Sequence, residues 1–378
     1  MSQSPTRVLL VVPDFKKGGV QAEAMYPARL LSRNDVRFDA IVPSDVVGYY
    51  EDEFKEYGQI FRMPIKRKAT KIQRFFSIFT NYFYIKKELR KFLRTHKKYD
   101  AIHVRHHVYA APCVSVAKKE GIPVRIAHAS INRPVGKYKD RFFMTWYYGI
   151  CAAVIRKKAT HVFGVTAGAV EYMAGKDNGI VMKNPTIALD RFNPELYPNK
   201  NIDGTIRLIM VGSFSSRKNQ KFTIEVLREL RKTRPDSTLT LIGYPRSPKE
   251  TYLEEMKQMI KDYSLENNVQ FLPQDTDIPL AMSESTVLMM PSIQEGLPNV
   301  ALEAQAMGLP LYVSSDVSTE CDCGLCRFIP LEKGPVYWAD ELIKYVDEHG
   351  FEKDYLDMSE WDNKKICEDY LEYYRGNK

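Results

Sequence analysis

Short runs of β-branched and aliphatic residues alternate with segments of helical periodicity along the first half of the chain. This alternation predicts βαβ units, in which parallel strands form a doubly wound sheet with helices on both faces. The predicted strands are Arg7–Val12, Phe38–Pro43, Ala101–Val104, Val124–His128 and His161–Val165. The predicted helices are Val20–Ser32, Lys71–Thr95, Ala110–Lys119 and Phe142–Lys158. We therefore expect the first half to form one α/β domain.

The pattern is interrupted at Lys183–Lys200, a segment rich in Pro and Asn, and then starts again. The strands predicted after the interruption are Arg207–Val211, Leu239–Ile242, Val269–Leu272, Val287–Met290 and Leu311–Ser314. Two Rossmann-like halves joined by a linker are the simplest architecture that fits. Ligands of such sheets bind beyond the carboxyl ends of the strands, so two facing halves would share a central cleft. The acidic and aromatic segment Glu352–Tyr374 is predicted to be helical.

Composition excludes several other classes of protein. Of the 378 residues, 44% are hydrophobic and 27% are charged, which rules out collagen-like, disordered and disulfide-rich chains. No apolar run reaches the roughly 18 residues that span a bilayer, and no basic leader precedes the first predicted strand. We expect a soluble or peripheral protein that is not secreted.

The cysteines favour a reducing compartment. They are Cys113, Cys151, Cys321, Cys323, Cys326 and Cys367. Cys321, Cys323 and Cys326 lie within six residues of one another, and this spacing suggests a zinc site. A tetrahedral zinc site needs four ligands, however, and neither a second cluster nor a nearby His completes this one. We therefore predict free thiols and no metal site.

Charge is distributed unevenly along the chain. Residues 1–200 contain 35 Lys and Arg against 17 Asp and Glu, whereas residues 201–378 contain 20 against 30. The basic half is either a solvated face or a surface that meets phospholipid headgroups, a phosphorylated acceptor or nucleic acid. No recognisable nucleic-acid-binding module is present, so we expect no nucleic acid partner.

Two glycine-containing loops precede predicted helices. In the first, Gly18 and Gly19 would let backbone N–H groups approach a phosphate at a helix N-terminus, although a tight turn explains the pair equally well. In the second, Gly212 is followed by Ser213 and then by adjacent cations at positions 217 and 218. Arg217 and Lys218 at a helix start are typical of a pyrophosphate clamp.

The most specific motif runs from Pro291 to Pro310. Glu295 lies in the loop after a predicted strand, and Glu303 lies about two turns into the next helix. One carboxylate can accept hydrogen bonds from a sugar while the other takes the ribose of a nucleotide. Residues Gly296, Leu297, Pro298 and Asn299 form the helix start that would hold the phosphates. Backbone N–H groups are available there from all of them except Pro298.

Together these segments resemble the family-four retaining glycosyltransferases of the GT-B fold, and most of all their bacterial capsule and exopolysaccharide branch. The resemblance rests on the string Glu295–Pro310, the loop Val211–Gln220, the glycine pair at 18–19 and the linker residues Asn184 and Asp190–Asn193. It implies an acceptor-binding N-terminal domain at 1–184, a linker at 185–203 and a nucleotide-sugar-binding domain at 204–351. The helical segment 352–378 is expected to cross back to the N-terminal domain.

The resemblance also implies roles for individual residues. Glu295 would orient the donor sugar, Glu303 would bind the ribose, and Lys218 would neutralise the phosphates beside Gly18 and Gly19. His128 would contact the reacting sugar, so the predicted catalytic residues are His128, Lys218 and Glu295. Ser213 stands where the family usually has Arg, which Arg217 would have to replace as a phosphate contact.

His103 and His106 are candidates for the acceptor side, with ordinary polar loop histidines as the alternative. The expected partners are a nucleotide sugar, most often a UDP-sugar in this family, and a glycan or lipid-linked glycan acceptor. The reaction expected is metal-independent hexosyl transfer with retention, without a cofactor, in surface polysaccharide synthesis. The predicted location is cytoplasmic, peripheral on an anionic inner membrane face through the basic half. A non-catalytic GT-B scaffold, which Ser213 favours, and a nucleotide-sugar epimerase remain alternatives.

Overall fold

Two parallel β-sheets flanked by helices make up the chain, as the sequence predicts. The computed structural model describes residues 4–16, 19–33, 35–65, 71–96, 98–130, 142–198, 204–245, 251–295 and 297–378. These residues divide into two compact units, Met1–Thr186 with Trp361–Lys378, and Ile187–Glu360. The prediction of two doubly wound α/β domains is confirmed.

The first unit contains a seven-stranded parallel sheet in the order β3-β2-β1-β4-β5-β6-β7. Its strands are β1 (Thr6–Val11), β2 (Val36–Val42), β3 (Ile60–Arg62), β4 (Ala101–Val104), β5 (Val124–Ala129), β6 (His161–Gly164) and β7 (Ile180–Val181). Its first helices are α1 (Gly19–Leu31), α2 (Glu51–Phe54), α3 (Lys71–Thr95), α4 (His107–Lys119), α5 (Phe142–Lys158) and α6 (Ala167–Ala174). The central strands are covered on both faces, which explains their continuous apolar sequence.

The second unit contains a six-stranded parallel sheet in the order β10-β9-β8-β11-β12-β13. Its strands are β8 (Arg207–Val211), β9 (Thr238–Ile242), β10 (Val269–Leu272), β11 (Val287–Met290), β12 (Leu311–Ser314) and β13 (Cys326–Ile329). Its helices are α7 (Gln220–Leu230), α8 (Tyr252–Asp262), α9 (Ile278–Ser283), α10 (Asn299–Ala306) and α11 (Gly334–His349).

The last helix, α12 (Asn363–Arg375), packs in the first unit. Its buried side chains join the core built on β1, β2 and β5, and they are Ile366, Cys367, Tyr370, Leu371 and Tyr374. The spacing of these residues gives the helix one apolar face, which it turns toward the sheet. The first sheet is therefore completed by residues from the end of the chain.

Each sheet has one point where the strand order reverses. In the first unit the chain builds outward from β1 in one direction and then continues from β4 on the other side of β1. In the second unit the same reversal lies between β8 and β11. A crevice opens at such a point beyond the carboxyl ends of the strands, where ligands of this fold class bind.

The structure corrects two parts of the sequence prediction. The short strands β3, β7 and β13 were not predicted, because strands of two to four residues at or near a sheet edge carry little hydrophobic pattern. The helix predicted over Glu352–Tyr374 begins only at Asn363, after a short 3₁₀ turn. Residues 352–358 are not helical and are held by other elements: Lys353 Nζ, for example, donates to the carbonyl of Met282 over 2.6 Å.

Candidate active site

Glycine at two positions shapes the loop that leaves β8. Gly212 has φ of +149°, and a Cβ atom on it would lie 3.3 Å from Cε of Lys218. A Cβ atom on Gly243, after β9, would lie only 2.0 Å from the carbonyl oxygen of Gly212. Since no side chain fits between these strand ends, the loop lies close to the sheet and the Lys218 side chain passes over Gly212.

Gln220, the first residue of α7, holds this loop from its buried position. Its Nε2 donates to the carbonyl of Ser213 (3.0 Å), and its Oε1 accepts from the N–H of Ser215 (3.3 Å). The N–H of Lys218 also donates to the carbonyl of Ser215 (3.0 Å). Gln220 was not predicted as a site residue; its only sequence signal is an uncharged amide at the start of an amphipathic helix.

Two cations from this loop meet one carboxylate from the loop after β11. Lys218 Nζ lies 2.9 Å from Oε1 of Glu295, and Arg217 Nη1 lies 3.2 Å from Oε2 of the same carboxylate. Arg217 Nη1 also donates to the carbonyl of Gln294 (3.2 Å). The backbone of Glu295 forms a parallel β-bridge with Val317, which lies just after β12. This bridge fixes the position of Glu295. The structure thus brings together three predicted site residues where the strand order reverses.

This cluster has an excess of positive charge. Glu295 and Lys218 are largely buried, whereas the Arg217 side chain is 43% exposed. One carboxylate cannot neutralise two cations, and charges held in a partly buried site interact more strongly than in water. The arrangement can therefore attract a further anion, with Arg217 the more accessible of the two cations.

Glu303 lies in α10 with its side chain partly buried. Burial raises the pKa of this carboxyl group to about 7, and the positive charge of Arg191 opposes the shift. Among the described residues, its carboxyl group forms no hydrogen bond with Arg217, Lys218 or Glu295. At neutral pH the group can act both as a hydrogen-bond donor and as an acceptor.

The remaining predicted donor-site residues surround these side chains or lie outside the described residues. Ser213 contributes its carbonyl to Gln220, Leu297 precedes α10, and Pro298 is the N-cap of α10 without a side-chain cap. The Oδ1 atom of Asn299 is buried without a hydrogen-bond partner among the described residues. Gly18 and Gly296 lie outside the described residues, and Gly19 begins α1. An uncapped helix start leaves backbone N–H groups free for an anion.

His128 and His103 lie inside the first unit rather than at its surface. His103 on β4 and His128 on β5 are both fully buried. His103 Nδ1 lies 2.7 Å from the hydroxyl of Tyr374, and its Nε2 lies 3.1 Å from Nδ1 of His128. Both ring nitrogens of His103 therefore have partners, which leaves it no nitrogen for the acceptor it was predicted to bind. The role predicted for His128 stays a prediction.

His106, the second acceptor-side candidate, is also shielded. It precedes α4, and its ring stacks on that of Tyr109 with centroids 4.2 Å apart. Burial lowers the pKa of His106 to about 4, with Asp14 opposing the shift. His106 is half-buried, and at neutral pH its ring carries no charge.

A buried ion pair that was not predicted occupies the reversal point of the first sheet. Arg105 Nη2, just after β4, lies 3.0 Å from Oε2 of Glu23 on α1. Asn184 Nδ2 donates to the other oxygen of Glu23 over 2.8 Å. Burial raises the pKa of Glu23, and the charge of Arg105 opposes this. The available sequence signal was an Arg directly after an apolar strand.

The chain is similar in sequence to known proteins, and the matched region includes the charged cluster. The sequence model of the family "Glycosyl transferases group 1" matches residues 194–323, which contain Arg217, Lys218, Glu295 and Glu303. EpsF of Bacillus subtilis, whose name classes it among the glycosyltransferases, is 25% identical over 360 residues, or 91% of this chain and 88% of that one. These matches support a glycosyltransferase that uses a nucleotide sugar.

One further relative and one solved structure are also similar to this chain. The UDP-Gal:α-D-GlcNAc-diphosphoundecaprenol α-1,3-galactosyltransferase of Escherichia coli is 30% identical over 115 residues, 30% of this chain and 28% of that one. The crystal structure of Anabaena Alr3699/HepE in complex with UDP superposes with a TM-score of 0.67 at 13% identity, over 98% of each chain. The GT-B fold predicted for this chain is confirmed, whereas its branch and its stereochemistry stay predictions.

The surface of the first unit carries a basic groove along α3. Its lining residues are Phe83, Lys86, Lys87, Arg90, Lys91, Arg94, Thr95 and Lys119. The Phe83 side chain is 67% exposed, and Trp146 and Ile150 on α5 are also exposed. Two of the cations, Arg90 and Arg94, pair with Glu120 (3.3 and 3.1 Å). The side chains of Ile72, Phe75 and Phe76, in the first turns of α3, lie outside the described residues.

All six cysteines of the chain are free thiols. Within the described ranges, no group of three or more His, Cys, Asp and Glu side chains is arranged to hold a metal ion. No described helix is both long enough and apolar enough to cross a bilayer.

Proposed function

We propose that this glycosyltransferase transfers a hexose from a UDP-sugar to a lipid-linked glycan, with retention of configuration and without a metal ion, in surface polysaccharide synthesis. The observation that carries the proposal is the contact of Arg217 and Lys218 with Glu295 at the reversal point between β8 and β11. Such a cluster suits a ligand that combines a diphosphate with a sugar, because it offers cations and a hydrogen-bond acceptor side by side.

In this proposal the two cations stabilise the departing diphosphate. Negative charge grows on the phosphate oxygen as its bond to the sugar carbon breaks, and preorganised cations lower the energy of that state. Before the donor binds, Glu295 holds both cations in place. A bound diphosphate competes for them, which frees the carboxylate to accept hydrogen bonds from the sugar hydroxyls.

The bond changes of the proposed reaction balance without a further reactant. The bond between the anomeric carbon and the phosphate oxygen breaks, and the acceptor hydroxyl oxygen forms its bond on the same face of the sugar. The hydroxyl proton passes to the departing phosphate oxygen, so the products are the glycoside and UDP. No protein base is required, which agrees with the weak basicity of His103 and His128, whose pKa values burial lowers well below the usual range.

Glu303 is proposed to bind the ribose. Two ribose hydroxyls can each donate to a carboxylate oxygen. With a pKa raised to about 7 by burial, Glu303 loses its proton readily when these donors arrive, because hydrogen bonds to the charged form favour it. Binding of the nucleotide should therefore release a fraction of a proton near neutral pH.

The choice of nucleotide and acceptor is supported by relatives. Anabaena Alr3699/HepE was crystallised with UDP, and the name of the Escherichia coli relative contains both UDP-Gal and a diphosphoundecaprenol-linked sugar. A lipid-linked acceptor also suits the basic groove of α3, since a diphosphate headgroup and anionic lipids both attract Lys and Arg. Exposed Phe83 and Trp146 would enter the headgroup region beside these cations.

Binding and transfer should be tested separately. First, the thermal midpoint is measured with UDP, UDP-glucose, UDP-galactose, UDP-N-acetylglucosamine and GDP-mannose, each with and without EDTA. We expect UDP and one UDP-sugar to raise the midpoint equally in both conditions. The same UDP-sugar, radiolabelled, is then incubated with a diphosphate-lipid-linked monosaccharide, and the anomeric configuration of the product is read by NMR.

Each alternative has its own outcome. Binding of UDP without transfer to the lipid-linked acceptor would favour a non-catalytic scaffold. Conversion of the donor sugar to its epimer would indicate an epimerase. A product of inverted configuration would contradict retention. A thermal midpoint that no nucleotide raises would contradict the donor site itself.

A further inference from the structure

Three buried side chains form a hydrogen-bonded chain in the first unit. The hydroxyl of Tyr374 lies 2.7 Å from Nδ1 of His103, and Nε2 of His103 lies 3.1 Å from Nδ1 of His128. The two imidazole planes differ by only 7°, and their centroids lie 5.3 Å apart. Rings joined edge to edge by one N–H···N bond have this geometry.

All three groups are electrically neutral. Burial lowers the pKa of His103 and of His128 well below the usual range, and the nearby positive charge of Arg105 acts in the same direction. Burial also raises the pKa of the Tyr374 hydroxyl well above its usual range. Each imidazole therefore carries one N–H proton, and the tyrosine keeps its own.

Neutral groups can share protons along this chain in only two ways. In one arrangement, Tyr374 donates to Nδ1 of His103, whose Nε2–H donates to Nδ1 of His128, so that His128 carries its proton on Nε2. In the other, every bond is reversed: His128 donates from Nδ1, His103 donates to the tyrosine oxygen, and Nε2 of His128 has no proton.

The surroundings of Tyr374 favour the first arrangement. In the second, its hydroxyl proton would need another acceptor, yet His103 is the only hydrogen-bond partner of that hydroxyl among the described residues. The Tyr374 side chain is fully buried, and its ring neighbours are Phe38, Tyr370 and His103. A buried donor without an acceptor is costly, so the hydroxyl should donate to His103.

The outer nitrogen of His128 lacks a protein partner. Its Nε2 atom is buried and has no hydrogen-bond partner among the described residues. A buried nitrogen in that position calls for a ligand or water atom of matching polarity. In the first arrangement it matches an oxygen that accepts a hydrogen bond.

We infer that Tyr374 is a positioning residue: through His103 it holds His128 in the Nε2–H tautomer, so that His128 offers a hydrogen-bond donor to a sugar oxygen and cannot serve as a base. The identity of the oxygen rests on the proposed function; the tautomer does not. A residue on α12 would thus decide which ring nitrogen of His128 carries the proton.

Selective ¹⁵N-histidine labelling of the full chain tests this directly. Long-range ¹H–¹⁵N correlation spectra report which ring nitrogen carries the proton, and His103→Gln and His128→Gln variants assign the signals. We expect both residues in the wild-type chain to be protonated at Nε2. Protonation of His128 at Nδ1, or a charged imidazole at pH 7, would overturn the inference without bearing on donor binding.

Removing one hydroxyl provides the second readout. In Tyr374→Phe, the His128 signal should change to a mixture of tautomers, whereas Tyr373→Phe on the same helix should leave it unchanged. Addition of UDP-sugar should shift the His128 Nε2–H signal in the wild type, and free UDP should not. We expect Tyr374→Phe to lower kcat/KM about tenfold while the Kd for UDP stays constant. An unchanged tautomer in Tyr374→Phe, or an Nε2–H signal indifferent to a UDP-sugar that binds, would contradict the inference.

Discussion

Lys218 Nζ lies 2.9 Å from Oε1 of Glu295, although the two residues follow different strands of the second sheet. Their strands, β8 and β11, are neighbours at the point where the strand order reverses. The loop after β8 is kept short and close by Gly212 and Gly243, and the loop after β11 is anchored through the bridge to Val317. The ion pair is thus positioned by backbone features, namely the two glycines and the bridge between Glu295 and Val317.

Replacement of Lys218 should affect turnover more than any other single change. Lys218→Ala removes a largely buried cation from the proposed diphosphate site, and we expect kcat to fall about 100- to 1,000-fold, as for other lost transition-state charge contacts. Lys221→Ala is the matched control, because Lys221 lies three residues further on and pairs with Glu255 at the surface. Steady-state kinetics that leave both variants within twofold of wild type would remove Lys218 from the mechanism.

Arg217 should compensate for the serine at position 213. Because Arg217 contacts Glu295 and is the more exposed cation of the cluster, Arg217→Ala should weaken UDP binding about tenfold. Arg228→Ala, which removes a cation paired with Glu229 on α7, should not. We expect the double variant Arg217→Ala/Ser213→Arg to recover part of the lost affinity in calorimetric titration. If Arg217→Ala binds UDP as tightly as wild type, then Lys218 alone supplies the cationic contact.

Glu303 should make stability depend on pH between about 4.5 and 7. Its pKa is raised in the folded chain to about 7 from the ordinary value of 4.5, so the folded state holds the proton more tightly. The resulting contribution to the free energy of unfolding is fully present below about pH 4.5 and is lost as the pH rises through 7. The total loss is roughly 2–3 kcal/mol. Glu303→Gln stays neutral, so its thermal midpoint should rise relative to wild type between pH 5 and pH 8. A midpoint difference that does not change with pH would show that Glu303 titrates normally.

Binding to anionic membranes should depend on the groove of α3. Lys87→Glu combined with Lys91→Glu reverses two cations that have no ion-pair partner among the described side chains, and each cation near the surface contributes about 1 kcal/mol. We expect more than tenfold weaker co-sedimentation with vesicles of 30% phosphatidylglycerol in phosphatidylcholine. Trp146→Ala should weaken binding as well, whereas Tyr355→Ala, at an exposed aromatic residue of the second unit, should not. If the wild type and the three variants sediment equally with the vesicles, the groove of α3 is not the membrane-binding surface.

The sequence was most informative where burial is continuous. Strands β4, β8, β11 and β12 have the bounds that their apolar runs predicted, because a parallel strand covered on both faces is apolar along its whole length and its ends are therefore distinct. The cluster of Arg217, Lys218 and Glu295 could be predicted because each residue lies in the loop that follows a strand, and the carboxyl ends of parallel strands share one edge of the sheet.

The parts that could not be predicted depend on contacts between distant segments. Nothing near His103 in the sequence indicates that Tyr374 will form a hydrogen bond with it, so the sequence left this histidine as a candidate for the acceptor side or an ordinary polar loop residue. The pair of Glu23 and Arg105 is equally invisible until α1 and β4 are neighbours in space. Short edge strands such as β7, both of whose residues are exposed, carry no pattern at all.

The position of α12 has a consequence for biosynthesis. The first unit needs Ile366, Tyr370 and Tyr374 to cover its core, but the ribosome must first complete the whole of Ile187–Glu360. At 5–20 residues per second, the uncovered face of the nascent first sheet stays open for roughly ten to thirty seconds. During that interval the unfinished sheet is a substrate for chaperones, and the second unit can finish folding before the first.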